Sequence, residues 1–189
     1  MKTTNRHFRY LASVYDALIP SPSIEDYNWI LERYSNPLVL DAGGGTGRFT
    51  HIFKPTSGLI MVLDIEKRMV EKAKDKHLIP IQGAVENMPI QTESIDVVFI
   101  IDAFHHFTDH LYTLSECYRI LKPGGSLIIE EPDISTFPVK IVAFLEKIVF
   151  MRSHFYSPTE IHRMMEQSQF MVSKEYPSSF YSRIIGVKE

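Results

Sequence analysis

Leu38-Val39-Leu40-Asp41-Ala42-Gly43-Gly44-Gly45-Thr46-Gly47-Arg48-Phe49-Thr50 reads as the end of a buried parallel strand running into a glycine-rich turn, with a helix expected from about Thr46. Glycine serves where a strand turns sharply into a helix, because a Cβ would block both the turn and the close approach of a ligand. Two phosphate-binding readings fail on residue identity. A Gly-x-Gly-x-x-Gly begun at Gly43 meets Arg48 where glycine is needed, and one begun at Gly45 meets Thr50. A P-loop needs Gly-Lys-Ser/Thr, and Gly47 is followed by Arg48 and Phe49. What remains is an acid followed by alternating glycines: Asp41, Gly43, Gly45, Gly47.

Working outward, the 189 residues are enough for one domain with a substantial core and too few for two ordinary ones. The longest apolar runs, such as Val97 to Ile101, are strand-sized and far short of a membrane span. A net charge of −3 with dispersed lysines argues against general nucleic-acid binding. The basic N-terminus is followed by no signal-peptide pattern, and the single Cys117 suits a reducing compartment, so a cytoplasmic location is expected.

Before the glycine turn, residues 1–35 read as two helical pieces rich in aromatics, a cover for the sheet or a lid, with Ser23-Ile24-Glu25-Asp26 as a capping box. After it, Gly58 to Leu63 is a second strand ending in Asp64. An acid there can accept from both ribose hydroxyls of an adenosine. It can also cap the next helix, and the two roles are compatible. Leu78 to Gln82 is a third strand and Ser94 to Ile101 a fourth, ending at Asp102 before Ala103-Phe104-His105-His106-Phe107. In a doubly wound sheet the carboxyl ends of adjacent strands form the ligand crevice, which places Asp102, His105 and His106 there. The histidine pair lacks a third ligand at recognisable spacing, so no metal is expected. Thr113 to Leu121 is amphipathic, with Cys117 on the core face. Arg119-Ile120-Leu121-Lys122-Pro123-Gly124-Gly125 turns that helix into a fifth strand, Ser126 to Glu130. Residues 132–156 insert an apolar helix carrying Phe137. Ser157-Pro158-Thr159-Glu160 is a second capping box, and a strand pair closes the chain.

The segments Asp41-x-Gly43-x-Gly45-x-Gly47, Asp64-Ile65 with Met69, Gly83-Ala84-Val85-Glu86-Asn87-Met88-Pro89, Ser94 to Val98, and Arg119 to Gly125 together resemble the class I S-adenosylmethionine-dependent methyltransferases of the ubiquinone/menaquinone-biosynthesis type. The resemblance covers about residues 38–131. It implies an α/β, Rossmann-like, doubly wound seven-stranded sheet of order 3-2-1-4-5-7-6, strand 7 antiparallel, with helices on both faces. The whole chain, 1–189, would be one methyltransferase domain: 1–35 a lid or cover, 36–131 the cofactor core, 132–156 an insertion, and 157–189 a helix with the closing strands.

By the same resemblance the cofactor is S-adenosylmethionine, leaving as S-adenosylhomocysteine. Its expected contacts are Asp41, Ala42, Gly43, Gly45, Gly47, Asp64, Ile65, Ala84, Val85, Glu86 and Asp102. His105 and His106 are catalytic candidates. Tyr10, Tyr15 and Phe137 are candidates for contact with a small, partly apolar or aromatic acceptor, attacked through O, N, S or C in line with the methyl group. One departure stands out: the family's adenine-binding acid falls on Ala84, leaving backbone groups of Ala84 and Val85, or Glu86, to serve the adenine. Two alternatives stay open: a cofactor-binding domain without transferase activity, and a nicotinamide-binding α/β domain.

Overall fold

The computed structural model describes residues 25–53, 58–76, 78–135, 139, 154–177 and 181–189. The strands are β1 (Leu38–Ala42), β2 (Leu59–Asp64), β3 (Ile79–Gln82), β4 (Ile95–Ile101), β5 (Leu121–Pro132), β6 (Met171–Pro177) and β7 (Tyr181–Val187). They form one sheet of order β3-β2-β1-β4-β5-β7-β6. β1 to β5 run parallel, and β7 runs antiparallel to both β5 and β6. Runs such as Val97-Val98-Phe99-Ile100 are apolar at every position because a parallel strand here is covered on both faces.

Alternation sorts those residues into two cores. Leu40, Val98, Ile100, Leu127, Ile129 and Ile184 face α3 (His110–Ile120) and α4 (Pro158–Gln167), whose Leu114, Cys117, Ile161 and Met165 pack on them. Val39, Val62, Val97, Phe99, Ile128 and Ile185 face α1 (Glu25–Leu31) and the end of α2 (Lys67–Lys74), meeting Tyr27, Ile30, Leu31 and Ala73. Cys117 is fully buried, and burial pushes its thiol pKa up, as a small core residue requires.

The boxes read from the sequence behave unequally. Ser157 and Glu160 form the reciprocal capping box, with Pro158 in the first turn. Ser23 lies outside the described residues. The helix expected from Thr46 is corrected: residues 46–49 are turns, followed by one 3-10 turn, Thr50–Phe53. Phe49 and Phe53 enter the aromatic cluster of Tyr27 and Phe99, which anchors this short segment directly onto the sheet.

β5 also differs from expectation, beginning at Leu121 and passing through Pro123-Gly124-Gly125. Leu121 pairs with Ile95 and Ser126 with Val97, so the intervening residues bulge outward. The diagnostic Arg119 and Lys122 do more than end a helix. Arg119 Nη atoms donate to the carbonyls of Met88 and Ile90 at 3.1 and 2.9 Å, and Lys122 Nζ reaches Asp96 Oδ1 at 2.8 Å. The 84–90 loop is thereby fastened to α3.

Candidate functional site

The sheet reverses its winding between β1 and β4, and the crevice at their carboxyl ends is where an α/β sheet binds ligands. The glycine turn forms its floor. Gly43, Gly45 and Gly47 all have left-handed φ, +76°, +56° and +64°. Gly43 N–H donates to the Leu63 carbonyl at 2.8 Å, tying the turn to β2. A Cβ at Gly44 would lie 2.2 Å from the Asp41 carboxyl, and one at Gly47 would lie 2.2 Å from Leu78. Gly45 is different: its Cβ would meet only Asp64 Oδ2, at 3.9 Å, so that side of the turn opens onto space. Asp41 and Ala42 are buried at the end of β1. Burial raises the Asp41 pKa to about 7, against the Thr50 hydroxyl that donates to it at 2.9 Å.

Asp64 spans the turn. Gly45 N–H donates to its Oδ2 at 3.0 Å and Glu66 N–H to its Oδ1 at 2.8 Å. Each oxygen therefore uses one acceptor position on backbone and keeps another. Burial raises the Asp64 pKa, and these two N–H groups oppose the rise. The helix-capping reading of Asp64 is corrected. Glu66 is the N-cap of α2, and Asp64 closes an Asx-type turn onto it. The next residue, Ile65, is 68% exposed, an aliphatic side chain laid open beside the acid.

In the loop after β3, Val85 is buried and Ala84 half-buried. Glu86 Oε1 accepts from Thr108 N–H at 3.0 Å, so this carboxylate ties two loops together.

After β4, Asp102 sits at φ +52° and its N–H donates to the Glu130 carbonyl at 2.9 Å. The following turn, Phe104–His106, presses on the glycine turn: a Cβ at Gly43 would lie 3.1 Å from Ala103 Cβ and 2.9 Å from the Phe107 ring. His105 is buried, bonds Glu131 through Nδ1, and stacks on Phe155 at 4.5 Å. His106 is exposed. Crowding by the protein lowers its pKa first, repulsion from His105 second, against the attraction of Glu131. The two histidines are thus distinct: one enclosed and bonded to a carboxylate, the other at the surface of the crevice.

Side chains that sequence reasoning did not single out meet at the ends of β5 and β7. Glu130 is buried and accepts from the Tyr27 hydroxyl and from Arg183 Nε, the latter at 2.7 Å. The Arg183 guanidinium lies 4.0 Å over the Tyr27 ring. Tyr181, which pairs with Pro132, has its pKa raised by burial and then by Asp102 and Glu130. The acidic pair after an apolar strand was a visible signal, but its partners are 26 to 103 residues away. Tyr10, Tyr15 and Phe137 lie outside the described residues. Among the described residues no cluster of metal-ligating side chains occurs, and no helix is long and apolar enough to cross a membrane.

The methyltransferase-domain family matches residues 40–129, β1 through most of β5. The demethylmenaquinone methyltransferase of Thermotoga maritima is 30% identical over 165 residues, covering 72% of this chain and 71% of that protein. A ubiquinone/menaquinone biosynthesis C-methyltransferase of Haemophilus ducreyi is 33% identical over 104 residues, 49% of this chain and 40% of its own length. Several curated relatives are longer in this way, the chain spanning 37% to 46% of them. Among solved structures, a methyltransferase from Thermotoga maritima described as a possible histamine N-methyltransferase shares the fold. Its TM-score is 0.78 at 22% identity, covering 100% of this chain and 97% of that one. With the glycine turn, the acid on β2, the sheet order and these relatives in agreement, the chain belongs to the class I S-adenosylmethionine-dependent methyltransferase family.

Proposed function

We propose that this protein transfers a methyl group from S-adenosylmethionine to a small-molecule acceptor by in-line displacement. The observation that carries the reading is the opening at Gly45 beside Asp64: backbone that a side chain would obstruct, next to a carboxylate held in place with acceptor positions remaining. When bound, S-adenosylmethionine supplies a methyl group already activated by its sulfonium. The residues present fit it. Ala42, Gly43, Gly45 and Gly47 would lie under its methionine part, with Asp41 holding the turn through Thr50. Asp64 would accept from the ribose hydroxyls, Ile65 would cover the adenine, and Ala84 and Val85 would serve the adenine through backbone. Glu86 would shape that pocket through Thr108, and Asp102 would border the methionine end.

The chain's own work in the reaction is then mostly positioning, because the methyl donor needs no further activation. His106, exposed and with a lowered pKa, stays neutral near pH 7 and can accept a hydrogen bond from the acceptor, but the lowered pKa makes it a weak base. Half-buried Phe155, Tyr156 and Tyr181 supply aromatic surface at the same end of the sheet, in keeping with an aromatic or partly apolar acceptor such as the quinones in the relatives' names. Tyr10, Tyr15 and Phe137 would complete the acceptor side. The single, buried Cys117 is in keeping with a cytoplasmic protein.

Calorimetric titration with S-adenosylhomocysteine tests the reading. Binding is expected, and Asp64→Ala should weaken it by about 1.5–3 kcal/mol, the worth of hydrogen bonds to a charged group. Unchanged affinity in a folded variant would remove Asp64 from the site. Thermal stabilisation by S-adenosylhomocysteine and not by NAD excludes a nicotinamide site. Binding without transfer is a second reading, favoured by Ala84 alone; a screen of acceptors with labelled cofactor separates the two.

A further inference from the structure

Glu131 closes β5 on the opposite face of the sheet from Glu130. It is 3% exposed, and its carboxylate gathers three donors from one turn. Its Oε1 accepts from the backbone N–H groups of Ala103 at 2.8 Å and Phe104 at 2.7 Å, and its Oε2 meets His105 Nδ1. Burial by itself would raise the Glu131 pKa. His105 and the two N–H groups outweigh it and hold the pKa below the usual carboxylate value, so Glu131 is ionised and can only accept.

Two consequences follow from that geometry. The proton between the pair belongs to His105 Nδ1, which donates it to the carboxylate. The turn so held is the one whose Ala103 and Phe107 press on Gly43 in the glycine turn. His105 is enclosed further by Phe155 stacked on its ring and by His154 N–H donating to its carbonyl at 2.8 Å. A buried carboxylate–imidazole pair is a weak source of stability, since the desolvation of both groups offsets their attraction. Its placement at the end of β5, against the cofactor turn, is what sets it apart.

We propose that Glu131 is a positioning residue for methyl transfer: it holds the Ala103–His105 turn against the glycine turn and keeps a proton on His105 Nδ1. This rests on the methyltransferase reading for its purpose, but the Nδ1 proton is a property of the protein alone. The two parts separate by substitution. Glu131→Gln keeps an amide oxygen for the two backbone N–H groups and removes the charge facing His105. Glu131→Ala removes both.

The test pairs histidine-selective 15N NMR with titration of S-adenosylhomocysteine. In the native protein His105 should show a protonated Nδ1. In Glu131→Gln that signature should shift toward a tautomer mixture, while S-adenosylhomocysteine affinity stays within about threefold. In Glu131→Ala, affinity should fall at least tenfold. A native His105 protonated at Nε2 alone overturns the proposal. So does a folded Glu131→Ala that binds S-adenosylhomocysteine as the native protein does. Should Glu131→Ala not fold, the Glu131→Gln spectrum decides: an unchanged tautomer overturns the proposal, and the expected shift upholds it. Absence of any S-adenosylhomocysteine binding by the native protein is a failure of the methyltransferase reading, and the NMR result still stands or falls separately.

Discussion

At the carboxyl ends of β1 and β2 the site is made of backbone. Three left-handed glycines shape it, Gly43 is tied to β2 through its N–H, and the Asp64 carboxylate is fixed by two main-chain donors. At the ends of β5 and β7, on the same edge of the same sheet, the construction is of side chains. There Glu130 meets Arg183 and Tyr27, and Glu131 meets His105, all at most half-exposed. In the proposed reaction the first half would recognise a constant part, the cofactor, with atoms every residue possesses, and the second would face the acceptor, with groups that substitution can alter one at a time. Conformational permissiveness is the resource in one half, and desolvated charge in the other.

The sharpest way to break this contrast is Arg183→Met. It leaves the Glu130 carboxylate buried without its guanidinium partner, and about 3–5 kcal/mol of stability should be lost. Denaturant unfolding measures it, and a loss below 1 kcal/mol would mean that the β5–β7 end does not depend on this pair. Next comes a comparison inside the glycine turn. Gly44→Ala places a Cβ against the Asp41 carboxyl and should cost about 3 kcal/mol by overpacking. Gly45→Ala meets almost nothing and should cost only the left-handed strain, about 1–2 kcal/mol. Equal losses would show that steric contact with Asp41 does not govern the turn. The smallest effect is expected at Ala84, half-buried in the loop that Arg119 fastens. Ala84→Asp adds an acceptor for the adenine amino group and should tighten S-adenosylhomocysteine binding by about 0.5–1.5 kcal/mol. Weaker binding in calorimetry would show that this loop is shaped differently from the family's.

The extent to which the molecule was legible beforehand differs between the same two halves. The acid–glycine alternation at 41–47, Asp64 at the end of an apolar run and the Ser157–Glu160 box are local patterns, each closed within a few residues. All three appear in the structure as the spacing predicts. The helix expected from Thr46 did not form beyond a single 3-10 turn, because Phe49 and Phe53 are drawn onto Tyr27 and Phe99. Tertiary packing overrode local periodicity there.

Residue identity, with the family resemblance it carries, determined the parallel α/β architecture, the position of the glycine turn and the exclusion of a P-loop. Strand apolarity, glycine conformation and capping are properties of neighbours along the chain. Only the tertiary structure decided that Glu86 holds Thr108, that His105 is enclosed while His106 is exposed, and that Arg183 crosses to Glu130. Those assignments depend on which strands lie side by side and which face each residue takes, and β7 reaches β5 only because the chain reverses direction at the edge of the sheet. A carboxylate's partner, and with it its charge state, is set across 26 to 103 residues of sequence by that packing.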